Sequence, residues 1–534
     1  MTRVRAACAL AALGGVVNGS CWLPIGVAPV APLFVVLFLQ ALRRVRTGRE
    51  ALAVGLCFGT VRYAVAGHFI LSLVRFSPLA IGVFLVYVAY IVPFALLEAW
   101  GPLALERRTG FSRALGASLL FPLLEWVRSV GDLSFPADQL AHDFAPHPAW
   151  LGFEPWLGPF AVTFLVCLVG LVLDRAWESR RERTRAAVLA ASAVVLWSSP
   201  VVTSWLAGAK LPSAGGEFRV GLVQPAVGAR EKLDRACWPR TWERLRELST
   251  AAAAGTDLVL WPETARPGPV VWRATEPFAD REVEAISREI DRPILYGCQI
   301  ARIERDGAAE RVSLFNGAAT VHPDGRPAQW YGKQRLLPFV EGVPFGRYLG
   351  WDPSRRASRR GDQSALRLFG NFSAGPGPTV FEVGPARIGV LICYEGVYPQ
   401  LARRYRQAGA NILAVLTDDA WWGGTVFPRW HATMVATRAL ETGLPVVRAA
   451  NDGVCSHTDR TGTLRENSRR GPALVQHARV SLGSGAPTAY ARHGDAIVGL
   501  GWVLLATGIA TRLARRSWCR AREQGSRVTA APRA

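Results

Sequence analysis

Three apolar runs of this 534-residue chain each deliver a reactive side chain at their end. LVLWPE closes on Glu263, WYGK on Lys333, and IGVLIC on Cys393, with Tyr394 and Glu395 next. A free thiol titrates at about 8.5, so a cysteine nucleophile needs a cation or a base nearby. A carboxylate can take the thiol proton and later return it. A lysine beside the reacting carbonyl, with the backbone N–H after the nucleophile, can hold a developing oxyanion. Glu263, Lys333 and Cys393 together would perform acyl transfer without histidine.

The lysine is informative. All but three of the 62 basic residues are arginines, and the three lysines are Lys210, Lys232 and Lys333. An ammonium is a compact point charge, and a planar guanidinium does not fit the same narrow slot. Taken singly, each residue also has a plainer explanation. Cysteines are commonly buried packing, a Glu after Trp-Pro can be a helix N-terminal charge, and a lysine can sit on a surface.

The elements that must position these residues fall into two kinds. The first 208 residues carry apolar segments near 6–22, 26–42, 51–74, 78–98, 114–127, 155–173 and 187–208. Most approach the ~20 residues that a helix needs to cross a bilayer. Arginines gather after the second segment (Arg43, Arg44, Arg46, Arg49), the fourth (Arg107, Arg108, Arg113) and the sixth (Arg175, Arg180, Arg181, Arg183, Arg185). The intervening loops carry only Arg75 and Arg128. That alternation predicts a cytoplasmic N-terminus. A last apolar run at 496–511, followed by Arg512, Arg515, Arg516, Arg520 and Arg522, predicts an eighth span and a cytoplasmic C-terminus.

Residues 209–490 read differently. Short Val- and Ile-rich runs such as EFRVGLVQP, ARIGVLICYE and ANILAVLTDD predict strands. Helix-like stretches at 235–254, 279–290 and 428–442 lie between them, which predicts a layered α/β domain. The expected organisation is a helical membrane bundle over 1–208, an α/β domain over 209–490, and a final helix with a basic tail over 491–534. The net charge of +21 does not imply nucleic acid, because the arginines cluster between apolar runs. The nine cysteines include no CxxC and no His/Cys metal spacing, so neither a disulfide framework nor a metal site is expected. Cys237, Cys298 and Cys455 are expected as buried thiols. No cofactor is implied, and nothing demands more than a monomer.

WPET at 261–264, YGKQRLLPFVEGVPFG at 331–346 and LICYEG at 391–396 resemble the Glu-Lys-Cys motifs of the nitrilase superfamily. Joined to a membrane bundle, they resemble in particular the apolipoprotein N-acyltransferases. LLEWVR at 123–128, GNFSAGPG at 370–377, TDDAWWGG at 417–424 and RALETGLPVVRAANDG at 438–453 match further blocks of that family. The resemblance implies an αββα sandwich facing the periplasm, attached to about eight spans in the bacterial inner membrane. It implies Glu263 as general base, Lys333 as oxyanion stabiliser, and Cys393 as carrier of an acyl thioester. Tyr394 would supply a backbone N–H, with Glu341, Glu395 and Asn316 as supporting residues. The acyl donor would be a phospholipid, and the acceptor the α-amine of a diacylglyceryl cysteine on an apolipoprotein.

Several departures from the family pattern leave the chemistry intact but bear on the acceptor. Lys232-Leu233-Asp234 stands where Lys-Trp-Asp is usual, the first strand reads VQPAV where a QGNI-like run is common, and LSFPADQLAHDF lacks a Trp after Phe-Pro. Alternative readings are an amidase or acyltransferase with another acceptor, or a transporter with an inactive domain. The insert at 346–370, with Arg355, Arg356, Arg359 and Arg360, reads either as a lid touching headgroups or as a solvated loop. Arg62 and His68 lie inside an apolar span. That position suggests a functional or water-lined site, or, for Arg62, snorkelling at a helix end.

Overall fold

The computed structural model describes residues 2–529 apart from 24–25, 76–77, 79, 209–215, 307–308, 339, 347 and 351–371. Residues 351–370 of the insert read as a lid or a solvated loop, with Arg355 to Arg360, therefore lie outside the described residues.

Six helices among them are long and apolar enough to cross a membrane: Thr2–Cys21, Gly48–Arg75, Ala80–Thr109, Phe160–Glu178, Arg183–Leu206 and Ala496–Trp518. The segments expected at 26–42 and 114–127 form shorter helices, Pro32–Arg43 and Arg113–Arg128. The sixth expected segment starts late. Gly158 takes a φ of +79° and Pro159 follows it, so the helix begins at Phe160 and Glu154–Leu157 turns separately. Thr47 and Glu50 form a capping box at the start of Gly48–Gly67, satisfying donors that a helix start leaves free.

The predicted arginine clusters meet at one end of the bundle. Arg43 pairs with Asp174 and Glu178, Arg113 donates to the Val45 carbonyl at 2.8 Å, and Arg516 donates to that of Arg108 at 2.7 Å. Outward positions are apolar, as Val194, Val195 and Trp205 show. Arg62 does not snorkel. It is buried, 3.7 Å from Asp138 and 4.0 Å from Glu98, while Arg128 binds Asp138 at 2.8 Å and Tyr63 at 3.2 Å. His68 is exposed at a helix end, against the Val65 carbonyl.

Thirteen strands are described: β1 (Glu217–Gln224), β2 (Leu258–Leu260), β3 (Pro269–Arg273), β4 (Ile294–Asp306), β5 (Ala309–Val321), β6 (Gln329–Gly332), β7 (Val380–Val383), β8 (Ala386–Ile392), β9 (Ile412–Thr417), β10 (Val446–Ala450), β11 (Ser456–Thr458), β12 (Leu464–Asn467) and β13 (Leu474–Ser481). They form two sheets, ordered β13-β1-β2-β4-β5-β6, with β3 also on β4, and β12-β11-β10-β9-β8-β7. Each sheet has a parallel centre and antiparallel flanks. Side-chain alternation builds the layers. Leu258, Leu260 and Leu295 face the core between the sheets, while Val259, Trp261, Ile294 and Tyr296 pack outward under the helices Trp238–Ala253 and Arg281–Ile290. Helices Pro399–Gln407 and Phe427–Thr442 cover the other sheet. The result is the expected αββα sandwich.

Bundle and sandwich share one apolar cluster that includes Trp22, Phe69, Tyr87, Trp430 and Ile392. Phe69 stacks on Phe427 at 4.7 Å between centroids. Arg438 ties the two parts further, donating to the Val397 carbonyl at 2.8 Å and meeting His142 at 3.2 Å.

Removing one partner of a buried ion pair leaves an unmatched charge, at about 3–5 kcal/mol. Asp138→Ala is expected to lower the unfolding temperature in detergent, because Arg128 loses its paired carboxylate and Arg62 the nearer of its two. Arg128→Met combined with Asp138→Leu should recover much of that loss.

Candidate functional site

The parallel strands β2, β8 and β9 deliver Glu263, Cys393 and Asp418 just beyond their carboxyl ends, where sites in α/β sheets gather. The first of these turns depends on a glycine. β2 stays laddered to β4 through Trp261 N–H to the Leu295 carbonyl at 2.9 Å, and Trp261 anchors to Ser249 at 2.9 Å. The chain then turns at Pro262-Glu263. A Cβ at Gly297 would lie 2.5 Å from the Pro262 carbonyl and 2.6 Å from Glu263 Cα, so only glycine lets β4 run beneath this turn.

Lys333 follows β6, its N–H bonded to the Asn316 carbonyl at 2.8 Å and its own carbonyl accepting from Gly375 at 2.8 Å. Cys393 follows β8 with a φ of +51°, a left-handed conformation that costs a non-glycine residue about 1–3 kcal/mol. A helical turn, Cys393–Val397, begins there. Tyr394 N–H is therefore among the donors that a helix start leaves without an internal partner. The Tyr394 ring faces away, toward Phe135 and Tyr398.

The structure brings Glu263, Lys333, Glu341 and Asn316 into direct contact. Lys333 Nζ lies 2.7 Å from Glu341 Oε2 and 4.0 Å from Glu263 Oε1. Asn316 Nδ2 donates to both carboxylates at 2.8 Å. The Asp418 N–H donates to Glu263 Oε2 at 2.9 Å. Glu395 stands apart from this contact. Its carboxylate accepts from Ile392 N–H, Gln334 N–H, Arg335 N–H and the Tyr331 hydroxyl, at 2.7–3.0 Å. It ties the Lys333 loop to the strand that carries Cys393.

The electrostatics set each group's resting state. Burial, opposed by Lys333 and aided by Glu341, raises the Glu263 carboxyl above the ordinary range. Burial would lower Lys333, but Glu341 and Glu263 outweigh it and hold the ammonium charged. Burial and then Glu263 push the Cys393 thiol well up, against Lys333. The resting sulfur is therefore a neutral thiol. Nucleophilic use of it requires proton transfer to a base during attack, and Glu263 is a carboxylate in its field. The arrangement can support acyl transfer through a thioester.

Several site residues were not singled out from sequence. Asp418 and Lys232 flank Glu263, with 2.6 Å between them. Behind them Asp419 binds Arg448 at 2.6 Å and His431 at 3.1 Å. Burial raises the Asp419 carboxyl, but these two partners overcome that and hold it down at about 2. The strand-end rule that selects Glu263 and Cys393 applies equally to TDD after β9. Cys298 and Cys455 are buried free thiols as expected, whereas Cys237 is half-exposed at the start of a surface helix. Among the described residues no His/Cys/Asp/Glu group could hold a metal ion.

A cavity of about 540 Å³ opens beside the site, lined by Gln334, Arg335, Pro344, Phe372 and Tyr398, and by Ser134 from the bundle. None of the three reactive residues lines it directly.

Residues 219–512 match the carbon-nitrogen hydrolase family model, and residues 14–172 match the apolipoprotein N-acyltransferase N-terminal domain. The apolipoprotein N-acyltransferase of Geobacter metallireducens is 29% identical over 91% of this chain and 91% of its own. That of Azotobacter vinelandii is 29% identical over 90% and 92%. Among solved structures, an amidase from Nesterenkonia sp. is 17% identical over 53% of this chain and 96% of its own, with a TM-score of 0.35.

Gly297→Ala is the sharpest test of the Glu263 turn. The added methyl must displace the Pro262–Glu263 backbone. Misplacing a reacting group by about 1 Å costs on the order of 10²-fold, so acyl transfer should fall by about that factor in a steady-state assay, with overall folding retained by circular dichroism.

Proposed function

Because the chain belongs to the carbon-nitrogen hydrolase family and joins that domain to an apolipoprotein N-acyltransferase N-terminal domain, we propose that it N-acylates lipoproteins through an acyl-enzyme on Cys393. It is an acyltransferase of the apolipoprotein N-acyltransferase type. The observation that carries the reaction scheme is a buried Glu263–Lys333 pair set beside a neutral Cys393 thiol, on a domain packed into an apolar helical bundle.

The donor is a phospholipid. Glu263 takes the thiol proton as sulfur attacks the ester carbonyl, and Lys333 with the Tyr394 N–H holds the oxyanion. The tetrahedral intermediate collapses, the ester C–O bond breaks, and Glu263 returns the proton to the departing lysophospholipid oxygen. The α-amine of a diacylglyceryl cysteine then attacks the thioester. Glu263 takes the amine proton and returns it to the departing sulfur. The products are a triacylated lipoprotein and a free enzyme thiol. Asn316 and Glu341 hold the base and the ammonium, and Glu395 holds the two loops.

The topology we propose is eight crossings in the bacterial inner membrane, counting the two shorter helices, with both termini cytoplasmic. The convergence of arginines at one end of the bundle supports it. The sandwich then faces the periplasm, and the enzyme works as a monomer.

Intact-mass analysis after incubation with phosphatidylethanolamine vesicles tests the scheme. One fatty acyl adduct is expected on the wild type and none on Cys393→Ala, with discharge by a diacylglyceryl-cysteine peptide. Discharge by water alone would indicate a hydrolase, and no adduct would remove Cys393 from the mechanism. The pH dependence carries a sign. Glu263 must be deprotonated to act, and burial raises its affinity for protons. kcat/KM should therefore rise with pH along a limb lying above the ordinary carboxylate range of about 4. Glu263→Gln should abolish that limb together with most activity.

A further inference from the structure

Both lysines among the described residues stand at Glu263, yet the reaction scheme uses only Lys333. The other, Lys232, comes from the short helix Ala229–Leu233 that follows β1. Its Nζ donates to the Glu263 carbonyl at 3.2 Å and to the Thr264 hydroxyl at 3.2 Å, and it meets Asp418 Oδ2 at 2.6 Å. Thr264 has a φ of +46°, so the residue after Glu263 is itself in a strained conformation that needs outside support. The Asp418 carboxylate is fixed on its other oxygen by Ala420 N–H at 3.1 Å and Asn451 Nδ2 at 3.0 Å. The backbone N–H of the same residue donates to Glu263 Oε2.

We propose that Lys232 and Asp418 form a charge-balanced clamp that positions Glu263 and sets the pH at which it accepts a proton. The pair grips Glu263 from two sides, Lys232 at its carbonyl and Asp418 at its carboxylate. Neither side chain touches the reacting atoms, so both are positioning residues. The clamp is mostly shielded from solvent, with Lys232 14% and Asp418 6% exposed at the side chain, so its charges are weakly screened. The proposal rests on the assignment of Glu263 as the base.

The charges that bear on Glu263 come from every side. Lys333 and Glu341 face it across Asn316, the Cys393 thiol lies ahead, and Asp418 lies behind. Asp419, next to Asp418, is already balanced by Arg448, with His431 against its other oxygen. Lys232 is thus the cation that balances Asp418. Removing Lys232 leaves an uncompensated negative charge behind the base, which makes it hold its proton more tightly. Removing the Asp418 charge leaves an uncompensated ammonium, which makes it release its proton more readily.

The test uses the full-length protein in detergent and iodoacetamide as probe, with alkylation of the Cys393 peptide followed by mass spectrometry against pH. Alkylation needs the thiol proton to pass to a base, so the acid limb of its pH profile reports Glu263 without any lipid. Lys232→Met should move the acid limb up by about one pH unit, and Asp418→Asn should move it down by about one. The double variant should return it close to the wild-type position. A merely structural clamp would slow alkylation in both single variants without opposed shifts. Limbs that stay put, or move in the same direction, overturn the proposal. If Lys232→Met does not accumulate, Lys232→Gln makes the same charge change with a polar end. Acyl loading from vesicles separates the two readings. Opposed shifts without an adduct would leave the clamp standing and remove the donor assignment. An adduct without opposed shifts would do the reverse.

Discussion

A lysine ammonium at 1% exposure is tolerable only where opposite charge and hydrogen-bond acceptors meet it. Much of this site follows from that requirement. Glu341 meets Lys333 at hydrogen-bond distance, and Glu341 is in turn held by Asn316 and by the Leu337 N–H. Asn316 reaches across to Glu263, whose second oxygen takes the Asp418 N–H. One buried cation thus ties together residues from the ends of β2, β6 and β9 and from the middle of β5. The network is worth more than its separate pairs because a buried polar group left unmatched is so expensive. It also explains the lysine. Glu341 and Asn316 define a slot for a point charge, and a guanidinium would need room for five donors in a plane.

The same constraint operates within the bundle, where arginine is used instead. Arg62 and Arg128 share Asp138, and Glu125 takes the Leu140 N–H and the Thr163 hydroxyl. These residues come from helices and from the irregular segment 129–139, which reaches the sandwich through Ser134 and Tyr398 at 3.0 Å. Bundle and sandwich are consequently not two bodies on a linker. Their apolar cluster is continuous, and Arg438 links the turn after Cys393 to His142 on the bundle side.

The sequence made some of this legible and hid the rest for physical reasons. β9 and the buried parts of β1 and β8 are visible because burial on both faces favours apolar runs such as VGLV, IGVLI and ILAVL. β3, β7, β12 and β13 at the sheet margins, and the three-residue β11 beside β12, were not picked out, because they are short or carry polar residues and have no such run. Strand-end position pointed to Glu263 and Cys393, since their chemistry is evident from residue type. It pointed equally to Asp418, which passed unnoticed because an aspartate after a strand has many ordinary explanations. Lys232 was read as part of a motif lacking its tryptophan. Only the fold reveals that this lysine reaches Glu263 and Asp418 from a different element. The helix start at Phe160 was missed because Gly158-Pro159 looks like part of a greasy run until its backbone is seen to turn.

The resting state of Cys393 completes the picture. A thiolate beside Glu263 and Glu341 would add a further negative charge to a buried site that holds one ammonium, Lys333, and burial already disfavours it. The site resolves this by keeping the sulfur protonated. Thiol oxidation follows thiolate character and exposure, and Cys393 is partly exposed. A sulfur that stays neutral until a carbonyl reaches it is a poor target for oxidants. In the proposed reaction the proton leaves only as the carbon–sulfur bond forms, and Lys333 then meets the new oxyanion with a charge that was fixed in advance. The left-handed backbone at Cys393 supports the same economy of motion. Glu395, within the Cys393–Val397 turn, accepts from Ile392 N–H on β8 and from Gln334 N–H on the Lys333 loop, so the nucleophile reacts from a place the fold has already set.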